Sequence, residues 1–233
     1  MADHKPPVMR VIVGRPMDMA VAEGPAADRA LVARCLAGER AAERELFRRQ
    51  RGRVHGILFR ILGGNRDMDD LMQDTFIEVF RSLQGFRGES RLATWIDRIT
   101  VRVAYRYMGQ RRAAVSLEAV AEPGSHEDAG GESRAAAREG VRRLYAVLAT
   151  LSPHARIAFA LHAIDGRPIA EVARLCGASA IATKLRIWRA RRELMKRAAE
   201  DPVLAELIDE VQGGAAAQDD DGDAAAVAGE DVP

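Results

Sequence analysis

The sequence predicts an all-α protein made of two small helical domains joined by a flexible linker. Three observations carry that expectation. Apolar residues make up 48% of the 233 residues but aromatic residues only 5%, so the cores must be built from Ala, Leu, Ile, Val and Met, a helical accent. Apolar positions recur at helical spacing in one segment after another. Over residues 113–138 that pattern lapses into a stretch rich in Ala, Gly, Ser and Glu, with Pro123-Gly124 and Gly130-Gly131 as breakers.

Residues 1–27 hold four prolines and no sustained periodicity, and are expected to form a mobile leader. Within it, Val8-Met-Arg-Val-Ile-Val13 reads as a short strand, a partner-binding segment or neither. The first domain spans 28–112. Asp28 is the expected N-cap of a helix striped by Leu31, Val32, Cys35 and Leu36 and ended by Gly38. A second helix over 39–62 carries Ala42, Leu46, Phe47, Val54, Ile57, Leu58 and Ile61, and Gly63-Gly64-Asn65 stops it.

A third helix begins near Asp67, where its aspartates suit a helix N-terminus. Leu71, Met72, Thr75, Phe76, Val79, Phe80 and Leu83 face one way, and Asp70, Gln73, Asp74 and Glu78 the other. The segment Gln84-Gly-Phe-Arg-Gly-Glu-Ser90 then leads into a basic helix over 91–112. There Leu92, Trp95, Ile96, Ile99 and Val103 point inward. Arg91, Arg98, Arg102 and Arg106 align on the other side with Tyr105 among them, and Asp97 is the acid expected to pair with them.

The second domain spans 139–199. Leu144, Val147, Leu148 and Leu151 form its first stripe, Ser152-Pro153 restarts the chain as N-cap and N1, and Ile157, Ala158, Leu161 and Ile164 follow up to Asp165-Gly166. A short helix from Pro168 to Leu175, a turn at Cys176-Gly177-Ala178 and a basic helix opened by Ser179 form a helix-turn-helix pattern. Residues 200–211, capped by Asp201-Pro202, make a last short helix. Residues 212–233 are an acidic tail with the composition of disorder, either a solubilising segment or a mimic of nucleic acid that competes for the arginine faces.

The net charge of +1 hides segregation of sign. Residues 91–112 hold six Arg against one Asp, 179–198 seven Lys and Arg against one Glu, and the tail six acidic residues and no basic one. Cys35 and Cys176 lie far apart in helical patterns and read as two reduced thiols in a packed interior. The histidines His4, His55, His126, His154 and His162 are scattered, and no glycine-rich phosphate loop is present. These absences point away from an enzyme, a metal site or a bound cofactor. No apolar run reaches the ~20 residues of a membrane span, and no signal-peptide stretch opens the chain, so the expected place is the cytoplasm.

Two cationic helices suggest nucleic acid. Arginines at i, i+4 beside Tyr105 suit single-stranded DNA, where stacking contributes ~1–3 kcal/mol per base. In the second domain the first turns of the recognition helix meet base edges in the major groove. Ser179, Thr183, Lys184 and Arg186 are the expected contacts there, with Arg189 and Arg191 nearer the phosphates. Neutralising about five phosphates would give a log–log salt slope of roughly −4 to −5.

Asp-Leu-Met-Gln-Asp-Thr-Phe at 70–76, Phe-Arg-Gly-Glu-Ser at 86–90 and Thr94-Trp95-Ile96 before the basic helix resemble region 2 of the extracytoplasmic-function (ECF, group IV) sigma factors. Asp74 and Ile96 are mild departures from that family's pattern. Residues 151–191 resemble region 4 through Leu151-Ser-Pro, Ser179, Lys184, Arg186, Arg189, Ala190 and Arg191. Ile181, Ala182, Thr183 and Leu185 depart from it, which bears on the base contacts. The resemblance covers about 28–199.

It implies an alternative sigma factor that binds core RNA polymerase and promoter DNA, helps melt the minus-ten region and is held by an anti-sigma factor. Asp70, Gln73 and Asp74 would dock the clamp helices of the largest subunit, with the flap as a second polymerase contact. Phe86, Arg87, Glu89, Ser90, Arg91, Arg98, Arg102, Tyr105 and Arg106 would bind the minus-ten element. The loop over 84–90 would shape a pocket for a flipped base, with Phe86 and Trp95 as walls or as base readers. Ser179, Thr183, Lys184, Arg186, Arg189 and Arg191 would bind the minus-thirty-five element. A flexible 25-residue linker averages roughly 25–30 Å and reaches ~80–90 Å when stretched, so partial extension would bridge elements ~50 Å apart. The basic cluster Arg48, Arg49, Arg51 and Arg53 is a solvated face or an attractor for DNA or polymerase. A helix-turn-helix regulator acting without polymerase and a helical protein-binding adaptor are the rival expectations.

Overall fold

The computed structural model describes residues 24–115 and 132–213, all of whose regular elements are helical. The first domain is a four-helix unit: α1 (Pro25–Leu36), α2 (Arg40–Leu62), α3 (Met68–Ser82), a 3₁₀ turn at Leu83–Gly85, and α4 (Leu92–Val115). Helix α2 runs through its middle and packs on α1, α3 and α4. Leu46, Val54, Leu58 and Ile61 are its fully buried line, and Val79, Ile96 and Ala104 meet them from α3 and α4. The predicted stripes are largely the ones buried, with two exposed members. Leu36, at the end of α1, is 50% exposed. Phe47 stays 42% exposed, its ring 4.6 Å from that of Phe76.

Asp28 does not cap α1, which starts three residues earlier with Gly24 at the N-cap and Pro25 as first helical residue. Its carboxylate instead accepts the Leu92 backbone N–H and the Arg91 Nε–H, each at 3.0 Å. The side chain expected to start one helix therefore caps another, satisfying an N–H that opens α4.

The second domain comprises α5 (Glu132–Thr150), α6 (Pro153–Phe159), a π turn at Ala160–Ile164, α7 (Ile169–Cys176), α8 (Ala180–Ala198) and α9 (Pro202–Gly213). Ser152 Oγ accepts the Ala155 N–H at 3.3 Å, and Ser179 Oγ accepts the Ala182 N–H at 3.1 Å. Gly177 ends α7 at φ +59, the left-handed conformation that turns the chain into α8. Asp201 accepts the N–H groups of Val203 and Leu204 at the start of α9. The expected linker over 113–138 is shorter at both ends, because α4 runs on to Val115 and α5 begins at Glu132. Glu132-Ser-Arg-Ala-Ala-Ala-Arg-Glu follows Gly130-Gly131 at once and is made mostly of strong helix formers. The leader over 1–23, residues 116–131 and the tail over 214–233 lie outside the described residues.

Helices α6 and α7 and the π turn pack against α2 and α4 of the first domain. One apolar cluster runs through both domains, and buried polar groups anchor the contact. Arg156, only 9% exposed, reaches the end of α2, where its Nε donates to the Ile61 carbonyl at 2.7 Å and Nη2 to the Leu62 carbonyl at 2.9 Å. Burial lowers its pKa to about 10, still leaving a cation at the negative end of a helix dipole. Tyr145 donates to the Phe59 and Arg60 carbonyls beside it. Gly63, at φ +72, lets the Tyr145 ring come within 2.9 Å of where a Cβ would sit.

Asp97, fully buried on α4, accepts two hydrogen bonds from Arg53 of α2, at 2.7 and 2.8 Å, and one from Arg167 at 2.7 Å. Arg167 also holds Asp165 and Glu171, and Asp165 holds Arg60 at 2.7 Å. Burial disfavours the Arg167 charge, but Asp97 and Asp165 raise its pKa on balance. Asp97 therefore belongs to the joint between domains rather than to the arginine face of α4.

Candidate functional site

Three surfaces gather the residues singled out in the sequence. On α3, Asp70, Gln73 and Asp74 are exposed and share one face. Glu78, a turn further on, does not join them. Its carboxylate holds Arg102, whose Nε donates to it at 2.8 Å, and Arg106, at 2.6 Å, both on α4. Burial alone would raise the Glu78 pKa, yet these hydrogen bonds and charges lower it overall. Beside this face a groove of about 650 Å³ opens between α2 and α3, lined by Phe47, Phe76, Ile77 and Phe80, with Gln73 on its wall.

The second surface is the loop before α4 with the outer side of that helix. Gly85, Phe86, Arg87, Gly88, Glu89, Ser90, Trp95 and Arg98 surround a depression of about 350 Å³. The rings of Phe86 and Trp95 meet edge to face, centroids 5.7 Å apart, so each is braced by the other as a wall. Gly88 turns the loop at φ +72 with Arg29 against it. Arg98 is exposed, Arg91 pairs with Asp28, and Arg102 and Arg106 pair with Glu78. The arginine row thus has more partners than Asp97, which points the other way. Tyr105 is 40% exposed, its ring 4.6 Å from His154 of α6. Tyr107, which the sequence did not single out, donates to Asp67 at 2.6 Å and accepts from Arg111 at 3.0 Å. Burial first, then the Asp67 hydrogen bond, push its pKa up to about 12.

The third surface is α8. Ser179 caps it, and Lys184 and Arg189 are exposed. Arg186 is partly buried, near His154, whose pKa falls through burial and then through the Arg186 charge. Arg191 is half-buried, which lowers its pKa. Thr183 corrects the sequence-based expectation. It is fully buried, and its hydroxyl donates to the Ser179 carbonyl at 2.9 Å, so its side chain has no path to a base. The sequence reasoning also passed over Arg192, whose guanidinium lies 5.5 Å from the Trp188 ring centroid. Helical phase was the available signal, since Thr183 lies in line with the apolar positions Ile187, Ala190 and Leu194.

Nothing among the described residues resembles a metal site: no group of three or more His, Cys, Asp or Glu could hold an ion. Cys35 is buried, and burial pushes the Cys176 thiol up to about 11, as expected of packed thiols. No described helix is long and apolar enough to cross a membrane.

An acidic helix, a braced loop and an arginine-lined helix in one domain, with a helix-turn-helix in the other, define a two-domain helical protein built to bind. Comparison with known proteins names its class. Residues 46–114 match Sigma-70 region 2 and residues 141–194 match Sigma-70, region 4. The ECF RNA polymerase sigma-E factor of Haemophilus influenzae is 30% identical over 173 residues, covering 70% of this chain and 91% of that protein. The sigma-E factor of Escherichia coli K12 is 28% identical, with coverages of 72% and 92%. Among solved structures, CnrH in complex with the cytosolic domain of CnrY has a TM-score of 0.52 at 27% identity, over 75% of this chain and 99% of that one. The sigma factor RpoE of Bartonella quintana, solved with the anti-sigma factor NepR, has a TM-score of 0.52 at 21% identity over 68% and 97%, which shows a shared fold. The chain belongs to the ECF sigma factors of the sigma-70 family, and so is an alternative sigma factor, a protein of transcription initiation.

Proposed function

We propose that α3 docks core RNA polymerase through Asp70, Gln73 and Asp74, on the clamp helices of its largest subunit. The loop and α4 then take the minus-ten element through Phe86, Arg87, Glu89, Ser90, Arg91, Arg98, Arg102, Tyr105 and Arg106, and α8 takes the minus-thirty-five element through Ser179, Lys184, Arg186, Arg189 and Arg191. The protein performs no reaction of its own and works in the cytoplasm, where an anti-sigma protein holds it until it is needed. The complex in which CnrH was solved supports a protein partner of this kind.

One observation carries the assignment on α3: its carboxylates divide into two sets. Glu78 is spent on Arg102 and Arg106, whereas Asp70 and Asp74 stand exposed beside an apolar groove. Charges presented next to an open apolar surface suit a protein partner with basic rims. Two modest DNA contacts suffice once both are tethered to one polymerase, since tethering raises joint affinity by ~10²–10⁴. By the same account a flipped base enters the depression between Phe86 and Ser90, and its hydrogen bonds to Glu89, Ser90 and the backbone offset the few kcal/mol that flipping costs.

The test is Asp70→Arg in the full chain, assayed by co-purification with core polymerase and by run-off transcription. The variant should fold as the parent does and lose both. Unchanged co-purification would refute the docking assignment.

A further inference from the structure

The outward crest of α8 is apolar. At 3.6 residues per turn, buried Thr183, Ile187, Ala190 and Leu194 mark the inner line of the helix, and Ile181, Leu185, Trp188 and Arg192 fall opposite. Ile181 is 81% exposed, Leu185 44% and Trp188 50%. The same phase places Lys184 and Arg191 along one side of this crest and Arg186 and Arg189 along the other. The sequence-based expectation concentrated on those flanking cations, yet the first two turns put aliphatic carbon at the front.

An apolar crest between two cationic flanks has a complement in the major groove, where base edges form the floor and phosphates both walls. A protein groove would match the apolar crest but would not call for cations on both sides. On the groove floor an aliphatic side chain has one favourable partner, the 5-methyl group of thymine. Over an amino or carbonyl edge it would displace water without replacing the hydrogen bond, a net loss.

We propose that Ile181 and Leu185 read the 5-methyl groups of thymines in the upstream promoter element, with Trp188 and Arg192 continuing the contact toward the backbone. This rests on α8 being the upstream DNA reader, and it supplies the specificity that buried Thr183 cannot.

The experiment uses the full chain with core polymerase to select duplexes randomised over the upstream element, then replaces each selected thymine by uracil, which removes only the methyl group. Selected elements should carry adjacent thymines on one strand. Uracil should weaken binding about fourfold per methyl, the ratio expected for burying one such carbon. Ile181→Ser with Leu185→Ser should bring the thymine-to-uracil ratio to within about twofold of unity while co-purification with core polymerase is retained. Selected elements without thymine, a wild-type protein indifferent to uracil, or a double variant that still discriminates would each overturn the proposal. Loss of polymerase from the double variant would also overturn it, by making the crest a protein surface. A parallel Lys184→Ala with Arg189→Ala variant separates the two levels. If it weakens upstream binding while uracil is silent, methyl reading alone fails; if it changes nothing, the assignment of α8 to DNA fails with it.

Discussion

Helices α4 and α8, the two cationic helices proposed to meet DNA, hold their charges differently. Along α4 three of the four arginines in the row are tied into the fold, and Arg98 is exposed. Arg91 pairs with Asp28 of α1, and Arg102 and Arg106 pair with Glu78 of α3. The one acid of α4 over 91–112 turns inward, where Asp97 binds Arg53 and Arg167. On α8 the described ion pair is Arg197 with Glu193 near the far end, and the first turns present Lys184 and Arg189 to solvent beside an apolar crest. The difference separates two kinds of basic helix. Charge on α4 both stabilises the domain and is available for binding, so substitutions there should disturb both. Lys184 and Arg189 on α8 are exposed, so substitutions at those two positions should change affinity with little effect on stability.

The largest expected break in that contrast is Asp97→Ala. It leaves Arg167 in the joint without one of its carboxylates and Arg53 without the acid it grips by two hydrogen bonds. Removing one partner from a buried ionic cluster costs about 3–5 kcal/mol, the low end applying here because Arg167 keeps Asp165 and Glu171. For a chain of this size that is a Tm roughly 6–12 °C lower, and thermal unfolding followed by circular dichroism would show it. A shift under about 2 °C would mean that the α2–α4–α7 joint contributes little. Asp28→Ala comes next, at about 1–2 kcal/mol, the range for losing a helix cap. Because that cap joins α1 to α4, amide exchange should rise at Leu92 and its neighbours as well as across α1; protection unchanged at Leu92 would argue against the bridging role.

Much of this was legible in the sequence, and the misses share a cause. The stripes of α2, α3 and α4, the Ser152-Pro153 restart and the Gly177 turn are local patterns, fixed by residues within one or two turns of each other. Asp28, Asp97 and Arg156 act over 64, 70 and 95 residues respectively, and nothing in their neighbourhoods announces the distant partner. Asp28 has the chemistry of an N-cap and serves as one, but for another helix. Thr183 is a different case: its sequence neighbours mix exposed apolar Ile181 and Leu185 with basic Lys184 and Arg186, and only its phase relative to Ile187 and Leu194 shows that it points inward. Phe86 and Trp95 were legible as a pair because they flank one short loop.

Ser179→Ala measures the stability that α8 draws from its own start. Its hydroxyl serves the Ala182 N–H and nothing else described, so the loss should be ~1 kcal/mol, a Tm fall of about 2–4 °C. Stability of the first domain should be untouched, and a matching fall in α4 protection would contradict the separation drawn between the two helices.

The smallest effect on stability, and the sharpest probe of the contrast, is Glu78→Gln. Arg102 and Arg106 are about half exposed, so solvent screening limits the loss to less than about 1 kcal/mol. Its sign with pH is fixed. The folded-state pKa of Glu78 lies below its ordinary value, so the carboxylate stabilises the fold fully above that ordinary value and loses its effect as pH falls through the depressed one. Wild type and Glu78→Gln should therefore differ at neutral pH and converge in acid. Binding should move the other way. Freeing two guanidiniums adds up to two phosphate contacts, which should steepen the log–log salt slope for single-stranded DNA by about 0.7 each. The matching change on α8, Glu193→Gln, sits at the far end of that helix and should leave the slope for duplex DNA as it was. An unchanged single-strand slope for Glu78→Gln would show that the α4 arginines reach phosphate with their carboxylate still in place, and the two helices would then be cationic in the same way.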